Sequence, residues 1–366
     1  MKVLHYVSIM NRAGQETFIM NMYRNIDRSK IQFGFLCTNN AVGDYDEEIF
    51  QLGGNIHYIK IDQKMGKLRH IDNYIRMKNE FHAYIEEYDV FHIHNYHAFD
   101  TYLAARAAVK AGFKKVVVHS HNASADEHLK LHELCKPLLA KLPLKRLACS
   151  SMAGNWMFDE NHFEVIPNGI NLEKFKYDSE LRMEYRKQLM LEDKFVIGHV
   201  GRFEKQKNHR FLIDLFEKFA EDKENVHLLM VGNGVLFSDI ESRISEKKLQ
   251  SKITMLGMRT DVYNIYQAMD CFLFPSLFEG LGIVLIEAQA TGLPCVITDN
   301  FPHEVDINEN VIRCSLDSSA EEWIEALNKI YATYGSADRF DCIDNIKNAG
   351  FDALSSARKL TRIYLK

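Results

Sequence analysis

The chain has 366 residues, 46% hydrophobic and 26% charged, with a formal net charge of −5 at pH 7. That length exceeds one ordinary core and implies two domains of roughly 150–200 residues each. The acidic balance argues against a general nucleic-acid binder. The seven cysteines are scattered and form no Cys-Xaa-Xaa-Cys pair, which points to reduced thiols rather than a disulfide framework. No stretch reaches the roughly 18 apolar residues of a membrane span. The expected location is the cytoplasm, or the inner face of the cytoplasmic membrane as a peripheral protein.

Short apolar runs alternate with helical patterns along the chain. Val3–Ile9 reads as a buried strand, followed by a glycine turn and a helix from about Gln15. Further strands are expected at 31–37, 56–61, 90–94, 116–119 and 147–150, with helices at 67–87 and 102–111. Alternating βα units imply a parallel sheet covered by helices on both faces. The polar stretch 169–194 then reads as the approach to a second series, with the linker near its start. That series has strands at 195–200, 226–231, 253–256, 271–274 and 295–298, and a helix at 209–220. The fold class is α/β, with two doubly wound Rossmann-like domains. Residues 1–170 form the first, with a C-terminal helix of about 346–366 returning to it, and 171–345 form the second. Ligands in such sheets sit beyond the C-terminal ends of strands, and two facing domains give one deep cleft as the default site.

Several loops at those strand ends carry chemistry. Gly14 sits at a strand-to-helix turn where backbone N–H groups can approach a phosphate, though a plain tight turn accounts for it equally. Arg202 and Lys207, in GRFEKQKN at 201–208, place a forked cation and a flexible one after a strand, suited to a diphosphate; the alternative is solvated surface charge. In FPSLFEGLGIVLIEA, at 274–288, Gly280 and Gly282 clear a helix start, which attracts anions. Its two acids, Glu279 and Glu287, suit hydroxyls instead. Eight mostly helical residues would separate them by about 12 Å, the reach from a ribose to a sugar across a diphosphate. As ordinary structure, Glu279 caps the helix and Glu287 joins a salt bridge.

Histidines gather in HIHNYH at 92–97 and HSHN at 119–122. His92 and His94 would share one strand face and could bind zinc. The first set matches the spacing of a metallo-β-lactamase-like HxHxDH motif, but Tyr96 replaces its Asp and the alternating β and α pattern does not suit that fold. Asp44-Tyr45-Asp46 is an acidic triplet of a kind common by chance. No metal is expected.

Taken together, the chain resembles retaining glycosyltransferases of family 4 with the GT-B fold. The marks are the Gly14 loop, VHSHN at 118–122, VIPNGIN at 165–171, GRFEKQKN, VGNG at 231–234, LGMRTDV at 256–262 and the E-x7-E element at 279–287. The resemblance implies a hexose or N-acetylhexosamine transferred from a nucleotide sugar, UDP-linked by family habit, to a glycan hydroxyl. It gives Glu287 the ribose and Glu279 the transferred sugar. The N–H groups of Gly280, Leu281 and Gly282, with Arg202 and Lys207, meet the diphosphate. Gly14 closes over it, Gly232 belongs to the nucleotide side, and the backbone near Met258 and Arg259 meets the base. A near-sugar histidine is assigned to His121 in preference to His119, which would end its strand and pack. His97, His119 and Asn122 are acceptor-side candidates. The resemblance further implies catalysis without a metal or other cofactor.

The wording of 116–128 and 12–36 looks like the capsular and exopolysaccharide branch, whose acceptors are polyprenyl-diphosphate-linked saccharides. Residues 126–147 mix leucines with Lys130, Lys136, Lys141, Lys145 and Arg146, a pattern that suits an anionic membrane surface. A buried helix with solvated lysines is the plain alternative. Competing functions are a GT-B-shaped nucleotide-sugar epimerase, a non-catalytic sugar-binding relative and a metal-dependent hydrolase.

Overall fold

The computed structural model describes every residue except 62–66, 125–127, 160 and 335–338, and only the backbone of 67–71 and 334. The chain divides into two compact units, Met1–Gly169 with Ala353–Lys366, and Ile170–Asp352.

Hydrophobic runs of four to six residues build the N-terminal sheet from β1 (Lys2–Val7), β2 (Gln32–Cys37), β3 (Asn55–Tyr58), β4 (Val90–Asn95), β5 (Lys115–Ser120), β6 (Lys145–Ala148) and the short β7 (Glu164–Val165). Their spatial order is β3-β2-β1-β4-β5-β6-β7, and every pairing is parallel. Side chains alternate across the sheet. Val3, Val7, Val90 and Val117 lie in one core with the helices Gly14–Asn25 and Ala353–Leu365. Leu4, Tyr6, Phe91, Ile93, Val116 and Val118 face the opposite core.

The second sheet repeats the plan with β8 (Phe195–Val200), β9 (Val226–Val231), β10 (Ile253–Met255), β11 (Cys271–Phe274), β12 (Cys295–Thr298) and β13 (Val311–Cys314). The order is β10-β9-β8-β11-β12-β13, again all parallel. In both sheets the order reverses beside the first strand. The crevices at these reversals lie beyond β1 and β4 and beyond β8 and β11.

The stretch 169–194 carries the helices Leu172–Phe175 and Ser179–Gln188 of the C-terminal unit, which begins at Ile170. Arg182 and Arg186 both pair with the buried Asp270 carboxylate, which also accepts from the Val196 N–H at 2.8 Å. The returning helix begins at Ala353, so 346–352 stay with the C-terminal unit. Strands β7 and β13, too short or too polar to register as hydrophobic runs, extend the sheets.

The returning helix completes the N-terminal core with Ala353, Ala357, Leu360, Ile363 and Tyr364. Tyr364 is fully buried, with its hydroxyl 2.6 Å from His92 Nδ1. Replacing Tyr364 with Ala is expected to cost about 3–5 kcal/mol. Replacing it with Phe should cost only about 1 kcal/mol. Denaturant unfolding should show the loss in the N-terminal unit's transition, with the other unit's transition unmoved.

Candidate active site

In the C-terminal unit, the loops after β8 and β11 meet at the reversal of strand order. Three hydrogen bonds stitch them. The Leu277 N–H donates to Gln206 O at 2.8 Å, the Gln206 amide to Phe278 O at 2.9 Å, and the Asn208 amide to Pro275 O at 3.2 Å. This lattice holds Lys207 against Glu279, whose carboxylate accepts directly from the Lys207 ammonium. Both side chains are largely buried, and the ammonium also sits 4.8 Å from the Phe274 ring centre. Arg202, by contrast, is exposed and pairs with Glu204 at 3.1 Å. One predicted cation is therefore fixed in place and the other is free to reach outward.

The helix after β11 spans Ile283–Ala290. Gly282 caps it in the left-handed region at φ 77, where a Cβ would also strike the Phe301 ring at 2.4 Å. Only glycine meets both demands. Because the helix begins at Ile283, half of the Glu279–Glu287 span is loop. The 12 Å estimate, built on a mostly helical segment, does not describe it. Leu281 is buried and braces the turn. Glu287 lies in the second turn, partly buried, with Oε2 3.1 Å from the Tyr266 hydroxyl. Desolvation raises its pKa to about 7, and the Tyr266 hydrogen bond only partly opposes the rise. Sequence reading missed Tyr266, whose only signal is its place in the apolar helix Val262–Ala268.

The glycine loop after β9 crosses two neighbouring backbone segments. The Gly232 N–H donates to Gly257 O at 2.9 Å. A Cβ on Gly232, at φ 137, would lie 2.0 Å from the Gly201 carbonyl. Gly232 thus lets two backbone loops cross, and its N–H is committed to the protein. Met258 is exposed. Arg259 grips Asp261 through two hydrogen bonds of 2.8 and 2.7 Å, which hold the Asp261 pKa down at about 2.

In the N-terminal unit, Gly14 opens the helix Gly14–Asn25, and a Cβ there would meet nothing within 4 Å. Asp44 and Asp46 serve their own turn, accepting from the Arg12 and Gly43 N–H groups. His97 is buried, with Nε2 3.3 Å from His128 O. The Asn122 side chain accepts from the Ala123 N–H at 3.0 Å. His119 is wholly buried against Phe18, with ring centres 4.9 Å apart. His121 lies just past the end of β5 and bonds His94, their nitrogens 2.8 Å apart.

His5 joins this cluster, a residue the sequence reading passed over. Its signal was alternation, since β1, β4 and β5 each place histidine on the same face. The sets His5–His92–His94 and His94–His119–His121 each bring three ring nitrogens within 4.8 Å. Two nitrogens sharing one zinc at 2.0–2.1 Å stand about 3.3 Å apart. The 2.8 Å contacts here are hydrogen bonds between rings. Burial lowers the pKa of each of the five, and the only charged neighbours that perturb them are other histidines. A dication among them would lack a compensating acid.

Residues 12–174 match the model for glycosyltransferase family 4, and residues 182–348 the model for group 1 glycosyl transferases. EpsF of Bacillus subtilis, described as a glycosyltransferase, is 34% identical across 99% of this chain and 96% of its own length. The chain belongs to the family 4 glycosyltransferases. This glycosyltransferase is also 28% identical, over 76% of each chain, to an Escherichia coli enzyme. That enzyme is named as a UDP-Gal:α-D-GlcNAc-diphosphoundecaprenol α-1,3-galactosyltransferase. The crystal structure of Anabaena HepE with UDP and glucose aligns over 99% of both chains at 18% identity, with a TM-score of 0.78. The fold is accordingly that of the GT-B glycosyltransferases.

The Lys207–Glu279 pair sets a stability test. Lys207→Met leaves a buried carboxylate without its partner and is expected to cost about 3–5 kcal/mol. The double variant Lys207→Met/Glu279→Leu should regain most of that loss. Urea unfolding of the four members of this cycle measures the coupling.

Proposed function

We propose that this glycosyltransferase moves a hexose or N-acetylhexosamine from a UDP-sugar to a hydroxyl of a lipid-linked saccharide, in surface polysaccharide synthesis. It does so with retention of anomeric configuration and without a metal. The observation that carries this reading is the arrangement beyond β8 and β11. A buried Lys207–Glu279 pair adjoins a glycine-capped helix start, and Glu287 stands in that helix with its charge poorly solvated. The UDP and glucose held by HepE and the undecaprenyl-linked acceptor named for the E. coli relative support the donor and acceptor classes.

Glu287 accepts hydrogen bonds from the ribose hydroxyls. Glu279, oriented by Lys207, contacts the transferred sugar. The N–H groups of Gly280, Leu281 and Gly282 and the side chains of Arg202 and Lys207 meet the diphosphate, while the Met258–Arg259 backbone meets the base. Breaking the anomeric C–O bond places negative charge on the leaving diphosphate and positive charge on the sugar ring. The cations and helix start stabilise the first, and Glu279 the second. The acceptor hydroxyl attacks from the face the diphosphate leaves, and a phosphate oxygen takes its proton. His121 meets a substrate hydroxyl.

A membrane role is proposed in a narrower form than the sequence suggested. Residues 126 and 127 lie outside the described residues. Lys136 pairs with Asp159 at 2.5 Å, Lys145 pairs with Glu164, and Arg146 donates to Ala140 O at 2.7 Å. These three cations serve the fold. Leu134 and Leu138 remain exposed on the helix Leu129–Ala140, near exposed Lys130 and Lys141. Among the described residues no helix is long and apolar enough to cross a membrane. Flotation with anionic liposomes should show salt-sensitive binding that Leu134→Ser/Leu138→Ser reduces; no binding by the unmodified chain removes the membrane role.

Calorimetric titration with UDP and GDP in EDTA tests the donor assignment. UDP should bind without metal, and Glu287→Ala should weaken it by tenfold or more. With a free-enzyme Glu287 pKa of about 7, affinity should hold at pH 8. It should then fall by up to about tenfold per unit below pH 7, as the acceptor carboxylate protonates. Glu287→Gln should flatten that dependence. Tight GDP binding would move the donor class, and binding of neither nucleotide by folded protein would overturn the site.

A further inference from the structure

One face of the N-terminal sheet carries a line of imidazoles that ends at His121. His5 in β1 and His94 in β4 project to the same side of the sheet as His92 and His119, beneath the helices Gly14–Asn25 and Ala353–Leu365. His5 Nδ1 lies 2.8 Å from His94 Nε2, and His94 Nδ1 lies 2.8 Å from His121 Nε2. The three rings form one continuous chain. At its ends, His5 Nε2 and His121 Nδ1 are buried atoms with no hydrogen-bond partner among the described residues. Burial keeps all three rings neutral, lowering the pKa of His5 and of His121 to about 3 and that of His94 well below 6.5.

A neutral imidazole carries one N–H and one lone pair. Each shared contact holds one proton, so the chain has two intact arrangements. In the first, every ring is protonated at Nδ1. His121 then presents an N–H at its unpartnered end, and His5 leaves only a lone pair in the core. In the second, every ring is protonated at Nε2. His121 then presents a lone pair, and His5 strands an N–H against Phe33 and Phe35, whose ring centres are 4.1 and 5.6 Å away. Either arrangement leaves one N–H without an acceptor. At His5 it is sealed in the core, where an aromatic face replaces little of the lost bond; at His121, only half-buried beyond the end of β5, it lies near the surface, within reach of a substrate oxygen. The first arrangement therefore wins, and the far end of the chain decides what the near end offers.

We propose that His94 and His5 are positioning residues that hold His121 as its Nδ1–H tautomer, so that His121 donates a hydrogen bond to a substrate oxygen. The donation rests on the assignment of His121 to the substrate; the tautomer does not. The device resembles the partner groups that fix ring orientation and tautomer in other histidine sites, with an aromatic core at the far end in place of a carboxylate.

Nitrogen-15 NMR of histidine-labelled, ligand-free full-length enzyme reads the tautomers directly. His5, His94 and His121 are all expected as Nδ1–H. His121 found as Nε2–H, or three rings in mixed forms, overturns the proposal without any variant. His94→Leu should release His121 toward the Nε2–H form that an unrestrained neutral histidine side chain favours. It should lower kcat on the order of tenfold to a hundredfold with a smaller change in KM. His94→Asn puts a carboxamide nitrogen where Nδ1 stood, and should restore both the tautomer and most of kcat. A merely structural role for His94 would instead leave the His121 tautomer unmoved in His94→Leu, which also overturns the proposal. If His121→Phe turns over normally while the wild-type rings are Nδ1–H, the substrate assignment falls and the tautomer result stands.

Discussion

Parallel pairing governs where chemistry can sit in this protein. Every pairing among the described strands runs in the same direction. Each strand must therefore be followed by a crossover, and all carboxyl ends of one sheet open on one edge. Residues distant in sequence become neighbours there. Lys207 follows β8 and Glu279 follows β11, 72 positions apart, yet adjacent pairing of those strands makes them ion-pair partners. His94 and His121 meet by the same logic at the ends of β4 and β5. The crossovers cover both faces, and so the strands can be almost wholly apolar and the edges can carry the polar work.

That polar work runs against stability. Lys207 with Glu279, Glu287 with Tyr266, and the imidazole cluster are all placed where water reaches poorly. The raised Glu287 pKa shows the sign of the effect. Its folded value, about 7, exceeds the ordinary carboxylate value of 4.5, so the ionised form is disfavoured in the folded state. The penalty is absent below pH 4.5 and grows as pH rises toward 7. An aliphatic side chain would sit there more comfortably. Tyr266 recovers part of the cost and fixes the carboxylate in one orientation. Lys207 does the same for Glu279, so each acid has a single partner that also points it.

The fold was legible because buried parallel strands leave unbroken hydrophobic runs separated by turn residues, as at 195–200, 226–231 and 271–274. Strand β7, with two residues, leaves no such run. Pattern alone could not show that Arg182 and Arg186, in the charged stretch 179–188, converge on Asp270. At the site, the E-x7-E acids and the Lys207 loop could be read from local motifs. Tyr266, His5 and the crossing at Gly232 could not, because each acts through a neighbour brought close by topology. Gly232 shows the limit best: nothing in VGNG tells that its N–H donates to Gly257 O or that a Cβ there would strike the Gly201 carbonyl.

The N-terminal unit is discontinuous, and this has a consequence for how the chain is made. Its core needs Leu360, Ile363 and Tyr364 from the last fourteen residues, whereas the C-terminal unit is one unbroken segment. During synthesis residues 1–169 emerge long before 353–366, so their core cannot close until those later residues have left the ribosome. The second unit has all its strands before then. Assembly by the usual rule, N-terminal domain first, is thus barred at its final step. The earlier-made sheet, with its buried histidines, must wait half-covered for the helix Ala353–Leu365 to arrive.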